Sequence, residues 1–388
     1  MDTICDMSRG TRMWFARSIG NWSLALFVLM LSSAALAQTT AVDRNAQRAQ
    51  VNNAAVMIVA NHPDTSMMKI ADDLAVTMSD PDGSFRVVPV VGDGAVGNIR
   101  DVILLRNIDL GLTDLTALEY MKQRNDLSQM LPRELAHVLT LFPDKLTILA
   151  QTSVKSIKDL QGKRVSVGLK DSGSALHGEA IFKDLGITVD TVYMAPPDSA
   201  DALVKGDIDA FVCFCLASPG IYQRVMFNAD LHLLPIPFEA PLQRDYLPAT
   251  LGHDDFPSFI AKDGSVSTVA VTLVLITYNW DKGNPRYARV AKFVQRLFDN
   301  LDKLRTGPRH KGWRSVQISA SASGWPRFAA AAEWQTSQRA EALQEMRVAF
   351  NEFLSKWTSE SAAQPTPVQP AEQIKLFEEF LNWRAKAQ

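Results

Sequence analysis

Val56-Met57-Ile58-Val59-Ala60, Phe85 to Val91 and Ile108-Asp109-Leu110-Gly111-Leu112 are three short apolar runs, and each pair is separated by a segment of helical pattern. Between the first two, Met67 to Met78 places Ile70, Leu74 and Met78 on one helical face, and the turn Asp80-Pro81-Asp82-Gly83 introduces the second run. Ala95 to Leu105 reads as the next helix. This order of strand, helix, strand, helix, strand predicts a parallel sheet with helices on both faces, and hence an α/β class.

The same alternation returns downstream of Leu146-Thr147-Ile148-Leu149-Ala150. Val165-Ser166-Val167-Gly168 reads as a strand, Gly173 to Leu185 as a helix, Val189 to Met194 as a strand, Ala200 to Lys205 as a short helix, and Ala210 to Leu216 as a strand. After Pro235, Pro237 and Pro241, Val269 to Tyr278 is again strand-like and Arg286 to Leu301 is a long helix. Two α/β units in a chain too long for one core predict two lobes. The chain is expected to cross between them near Pro143–Gln151 and to return near Pro235–Thr250, and two crossings form a hinge.

The ends of the chain differ in character. Arg9, Arg12 and Arg17 precede the apolar run Leu24 to Leu31, and Ala35-Leu36-Ala37 stands before polar Gln38, the order of a secretory signal peptide cleaved between Ala37 and Gln38. The run is too short to span a bilayer as an anchor. Toward the other end, Leu343, Met346, Phe350, Phe353 and Trp357 lie on one helical stripe, and Ser359–Pro370 reads as an extended linker. Ile374 to Trp383 is amphipathic, with Phe377, Phe380 and Leu381 on one face.

The expected division is therefore a signal peptide over residues 1–37, a lead-in over 38–54, lobe 1 over 55–145 and 241–335, and lobe 2 over 146–240. A helical extension over 336–358, a Pro-rich linker over 359–370 and a C-terminal amphipathic helix over 371–388 complete it.

The full chain holds 40 basic and 42 acidic residues; loss of 1–37 removes three and two of these and leaves a net charge of −3. That balance has no footprint for nucleic acid, which is not expected as a partner. Among the motifs that mark catalysis, Walker loops, G-x-G-x-x-G, H-E-x-x-H and G-x-S-x-G are absent, and the six histidines are scattered, so no catalytic residue, metal or cofactor is expected. Cys213 and Cys215 remain after cleavage. Their i, i+2 spacing in an apolar run is that of two buried thiols on one strand face; a disulfide between them or half a metal site are the alternatives, and a nucleophilic thiol beside a His is the enzymatic one.

Candidate binding residues follow from the rule that ligands of open α/β sheets sit beyond the carboxyl ends of the strands. In lobe 1 these are Thr65 and Ser66 after the first strand, Gly92 and Asp93 after the second, and Thr113 and Asp114 after the third. In lobe 2 they are Ser172, Gly173 and Ser174, at a strand-to-helix loop where free N–H groups and hydroxyls suit an anion. Each of these loops is equally a turn or a helix cap.

An ordered set of stretches resembles the TAXI family of solute-binding proteins, receptor subunits of tripartite ATP-independent periplasmic (TRAP) transporters. It comprises Arg86-Val87-Val88-Pro89-Val90-Val91-Gly92-Asp93-Gly94, Asp109-Leu110-Gly111-Leu112, Asp159-Leu160-Gln161-Gly162-Lys163-Arg164-Val165, Tyr246-Leu247-Pro248-Ala249-Thr250-Leu251, Pro308-Arg309-His310-Lys311-Gly312-Trp313-Arg314 and Gly324-Trp325-Pro326-Arg327-Phe328. The resemblance implies a type II periplasmic-binding-protein fold, a small carboxylate or amino-acid-like solute in the cleft, and delivery to the membrane permease of a TRAP transporter. A ligand-binding sensory module without transport is the alternative. Two departures stand out: Pro63-Asp64-Thr65-Ser66-Met67 replaces the family's Gly-Gly-Thr-Tyr type of loop, and Thr113-Asp114 stands near a position commonly held by Gln. A carboxylate there would repel an anion and favour a cationic or zwitterionic ligand.

Overall fold

The structure is a computed structural model that describes residues 44–123, 131–215, 219–360, 374–378 and 380–381. The expected cleavage point at Ala37 and Gln38 and the linker after residue 360 lie outside them. The chain divides into a small unit, Met1–Ala55 with Asp80–Arg86, and a large one, Val56–Ser79 with Val87–Gln388. Within the small unit, residues 44–53 form helix α1. Its Asp80–Arg86 part is a tight turn closed by the Asp80 N–H donating to the Phe85 carbonyl at 2.8 Å and the Ser84 hydroxyl donating to Asp80 at 2.7 Å.

The large unit contains both lobes. Its first sheet has the strand order β10-β11-β3-β1-β2, with β4 also pairing β11. The strands are β1 (Ala55–Val59), β2 (Arg86–Val90), β3 (Leu110–Asp114), β4 (Leu135–Lys145), β10 (Leu247–Gly252) and β11 (Ser265–Tyr278). Around them lie α2 (Ser66–Met78), α3 (Ala95–Leu104), α4 (Leu115–Gln123) and α9 (Pro285–Asp299). β1 and β3 are parallel, but β11 runs antiparallel to β3, β4 and β10. The all-parallel sheet expected from the alternation is therefore corrected to a mixed one. The strand-helix rule reads consecutive elements, and β11 returns from far along the chain to insert between β3 and β10.

The second sheet has the order β7-β6-β8-β5-β9. It is formed by β5 (Thr147–Gln151), β6 (Arg164–Ser166), β7 (Asp190–Val192), β8 (Ala210–Cys213) and β9 (Leu231–Leu233), with α6 (Gly173–Asp184), α7 (Pro196–Lys205) and α8 (Pro219–Val225). β6 is parallel to β7 and β8, while β5 is antiparallel to β8 and β9. A buried cluster including Ile148, Val165, Ile181, Val212 and Ile236 forms its core.

The lobes are joined where β4 gives way to β5. Leu146 is the single residue between these strands, and its N–H donates to the Val269 carbonyl at 3.0 Å. The return runs alongside: the Leu234 N–H donates to Ile148 at 2.8 Å and the Ile236 N–H to Ser267 at 2.9 Å. β11 is long enough to accompany both crossings and still pair with β3. The segment around β10 bridges the lobes, since it bonds to β11 while Leu251, Phe256 and Ile260 pack into a second-lobe cluster with Leu149 and Phe211. Helix α11 (Ala329–Glu360) carries the buried Phe350, which meets Phe377 and Phe380 at ring distances of 5.3 and 5.5 Å. Among the described residues, no helix is long and apolar enough to cross a membrane.

Candidate functional site

Strand direction brings the functional side chains to one seam. Because β11 is antiparallel to both β3 and β4, those two strands end at the same edge, and the parallel β1 ends there too. In the second lobe β6 and β8 end facing it, at the loops leading to Ser172 and to Phe214. Backbone bonds stitch the seam: the N–H groups of Val96 and Gly97 donate to the Asp171 carbonyl at 3.2 and 3.3 Å, and Arg100 pairs with the Asp171 carboxylate. Gly94, at φ 110°, comes so close that an added Cβ would stand 3.0 Å from the Ser172 Cα, so only glycine permits this approach. The lobes are in contact across this seam.

Two adjoining cavities open along this seam. The inner one, of about 200 Å³, is lined by Ser66, Phe142, Asp144, Phe214, Phe256 and His310 among others. The outer one, of about 410 Å³, is lined by Thr65, Lys69, Asp72, Asp254 and Arg309. They share Ser66, Asp255, His310 and Lys311, and so form one cleft with both aromatic and charged walls.

Asp144 is the unusual group in that cleft. Burial is the main force that pushes its carboxyl up to about 7, with the nearby Asp114 adding to the shift, while the Ser66 hydrogen bond and Lys145 act against it. The Ser66 hydroxyl lies 3.1 Å from Asp144 Oδ1 and 3.1 Å from the Phe214 carbonyl, and a hydroxyl has one proton for both. A protonated Asp144 resolves the shortage, donating to Ser66, which then donates to Phe214. Asp144 Oδ2 is buried and has no hydrogen-bond partner. The Lys145 ammonium makes its hydrogen bonds elsewhere, with Asp255 at 3.0 Å and the Thr250 carbonyl at 2.8 Å, while its backbone N–H favours the ionised form of Asp144.

This burial has a testable consequence for stability. The folded-state value of Asp144 lies above its ordinary 3.8, so its protonation favours the folded form, and that contribution is lost as pH rises from about 4 to about 7. Asp144→Asn removes the penalty of ionising the buried group. The variant is expected to be more stable than the parent at pH 8, by several degrees in Tm, and to converge with it near pH 4 in thermal scans. A constant difference across that range would contradict the assignment.

The cleft wall opposite Asp144 is built on a buried carboxylate. Asp73, in α2, accepts from the His310 N–H at 2.8 Å, Trp313 Nε1 at 3.0 Å and Lys69 Nζ at 2.7 Å. Phe142 stacks on His310 at 4.6 Å and meets Trp313 edge-on at 6.1 Å. Burial lowers the His310 imidazole from its ordinary value and so disfavours its cationic form. Gly312 is required here, since an added Cβ would fall 2.3 Å from the Phe142 ring.

Of the nine residues singled out from sequence, Thr65 and Ser66 line the cleft, with Thr65 also accepting the Met68 N–H as the cap of α2. The others lie on or behind the seam. Ser172 caps α6 by accepting the Ala175 N–H at 3.1 Å, and the Ser174 hydroxyl accepts the Phe214 N–H at 3.3 Å. Gly173 lies 3.4 Å, measured from an added Cβ, from Ala95 of the other lobe. Thr113 donates to the Ala95 carbonyl at 2.9 Å. Gly92 gives Asn98 room that a Cβ would fill, and Asp93 is exposed at the start of α3. Asp114 is committed twice: Oδ1 accepts the Ala117 N–H at 2.7 Å, and Oδ2 meets His177 Nε2 at 3.1 Å across the lobes. The His177 Nδ1 lies 3.2 Å from the Tyr246 hydroxyl, whose pKa burial raises, so the phenol donates to Nδ1 and Nε2–H donates to Asp114. Thr113 and Asp114 belong to β3 itself, which ends two residues later than the sequence suggested.

The expectation of two free thiols on a strand face is corrected: Cys213 and Cys215 form a disulfide. Two residues of extended chain would separate their Cα atoms by about 6.6 Å. The observed 5.2 Å requires a bend at Phe214, and β8 accordingly stops at Cys213. That bend presents the Phe214 carbonyl to Ser66 and sets Cys215 on the cleft wall. A disulfide leaves no thiolate to serve as a nucleophile. Among the described residues, no group of three His, Cys, Asp or Glu side chains could hold a metal ion.

Asp144 and Phe142 are not reached from the sequence because β4 lacks a strand's alternation, nor are His310 and Phe214, because contacts distant in sequence bring them to the cleft. A signal was available, since the apolar run Leu135 to Phe142 ends in Pro143-Asp144, a carboxylate at a strand's C-terminal end.

Solved structures similar to the chain include an alkanesulfonate-binding protein, SsuA, from Xanthomonas axonopodis pv. citri bound to MOPS, at 15% identity over 78% of this chain and 93% of that one, with a TM-score of 0.39. DctP7, a Bordetella pertussis extracytoplasmic solute receptor binding pyroglutamic acid, is similar at 15% identity over 67% and 80%, with a TM-score of 0.40. AbpA, an amino acid ABC transporter substrate-binding protein from Streptococcus pneumoniae bound to L-arginine, is similar at 15% identity over 66% and 95%, with a TM-score of 0.37. A family match covers well over half of the sequence: residues 74–327 match the NMT1-like family, and the chain belongs to that family.

Proposed function

We propose that the chain is an extracytoplasmic solute-binding receptor, which closes its two lobes on a small polar solute and delivers it to a membrane permease of the TRAP type. The observation that carries this reading is the cleft on the seam, built at the carboxyl ends of strands from both lobes and floored by a buried carboxyl with an unused oxygen. The paired crossings at Leu146 and Ile236 supply a hinge of the kind that lobe closure needs. The basic, apolar and small-residue order of residues 1–37 supports export to the periplasm, and the ordered TAXI-like stretches support a TRAP permease as the partner. The disulfide fits an oxidising compartment.

A thermal-shift screen of amino acids, carboxylates, sulfonates and amines tests the reading. A true ligand at a hundredfold excess over its Kd stabilises the protein by about 2.7 kcal/mol and raises Tm accordingly. No shift with any class, together with no small molecule carried through native mass spectrometry, would overturn a receptor function.

A further inference from the structure

We infer that the solute presents a primary ammonium group to Asp144, with an apolar body lying against Phe142, Phe214 and Phe256 in the inner chamber. The inference rests on the receptor reading above and names the ligand class of the same cleft. Asp144 Oδ2 is buried without a partner, and a buried carboxylate oxygen left unmade costs more free energy than a hydrogen bond normally gains. A donor from outside the protein repairs this defect, and a cationic donor repairs it best because it also compensates the charge.

The groups around Asp144 argue against other ligand classes. Ser66 already serves Oδ1, Lys145 is held by Asp255 and Thr250, and His310 is stacked on Phe142 with its Nδ1 accepting the Gly312 N–H at 3.1 Å. Of the cations lining the chamber, Lys145 is held by Asp255 and Lys311 donates to the Asp254 carbonyl at 3.4 Å, while beside Asp144 the Asp114 charge adds to the repulsion of an anion. Above about pH 7, where Asp144 ionises, a neutral hydroxyl could donate to Oδ2 but would leave the carboxylate charge uncompensated. Pro143 and Leu251 beside the three phenylalanines give the chamber an apolar surface for a hydrocarbon body, next to the polar Thr147, Asp255 and Lys311. Asp114, the residue from which sequence alone suggested selection of cations, is spent on His177 and the cap of α4. Asp144, on the other side of β11, lines the cavity together with Asp255, and Asp255 is already paired with Lys145.

The test is calorimetric titration of the protein at pH 8 with benzylamine, phenethylamine and putrescine, and with benzyl alcohol and benzoate as shape-matched neutral and anionic controls. At least one amine is expected to bind, at least tenfold more tightly than either control. Asp144→Asn keeps the shape and the Ser66 contact, and it should weaken amine binding tenfold or more while circular dichroism and Tm report an intact fold. Ser66→Ala serves as a second variant and should weaken the amine less than Asp144→Asn. Benzoate binding as tightly as benzylamine, amine affinity unchanged in Asp144→Asn, or none of the three amines binding while another solute does, would each overturn the inference and leave the receptor reading standing. If neither these probes nor the wider screen yields a ligand, both fall.

Discussion

Asp114→Ala is expected to cost about 3–5 kcal/mol of folding stability, since it removes a buried carboxylate that accepts two hydrogen bonds, each worth about 1.5–3 kcal/mol when one partner is charged. Asp114 and His177 have side chains only 1% and 0% exposed, and the bond between them crosses the two lobes. Alanine would leave His177 Nε2 without an acceptor, strip the cap from the Ala117 N–H and break the relay from Tyr246. Asp114→Asn retains an acceptor for Ala117 and a polar group opposite His177, so its cost should be nearer 1 kcal/mol. Urea unfolding of the three proteins at one pH checks the order. Equal stability of Asp114→Ala and the parent would show that the pair contributes nothing to holding the lobes.

Asp73→Ala should be about as damaging, at roughly 3–5 kcal/mol, because it removes one buried acceptor from three donors. The Trp313 indole N–H and the His310 backbone N–H lose their partner inside the protein, and Lys69 loses its ion pair. The consequence extends to the cleft, since the segment freed from Asp73 carries the His310 ring that stacks on Phe142 and the Gly312 that Phe142 crowds. A ligand identified by screening is therefore expected to bind more weakly to Asp73→Ala even below its unfolding temperature. Asp73→Asn, which keeps an acceptor for Trp313, should recover part of both losses. Stability lost with affinity intact would mean that this wall does not shape the site.

The parts of the fold that could be read from sequence are those whose signal is local. The pattern through Val56, Ile70, Phe85 and Ile99 repeats apolar residues at strand and helix periods, and the elements appeared within a few residues of where it put them. What remained hidden depends on contacts distant in sequence. β4 is buried almost throughout, so it has no alternation to betray it, and its partner β11 lies more than a hundred residues on. The insertion of β11 beside β3 turns a parallel sheet into a mixed one, and no local pattern encodes that pairing.

The site shows the same division. The loops beyond the strand ends were identifiable in principle, and Thr65–Ser66 lies on the cleft. Ser172 and Asp114 illustrate why residue type alone does not separate binding from capping, since the same hydroxyl or carboxylate that suits a ligand also suits the first turn of a helix. Asp144 becomes visible only when Phe214 from the second lobe and His310 from the end of the first are brought against it. The pairing of Cys213 with Cys215 likewise depended on a bend at Phe214 that an extended strand reading does not contain.

Small-angle X-ray scattering of the mature protein, before and after saturation with a ligand found by the thermal-shift screen, addresses the lobe-closing receptor most directly. The free protein is expected to be the larger, with lobes parted about the crossings at Leu146 and Ile236. Addition of the ligand should reduce the radius of gyration to the value calculated for the closed arrangement in which Val96 and Gly97 meet Asp171. A radius unchanged at saturating ligand, with binding confirmed in the same sample, would contradict closure around a solute.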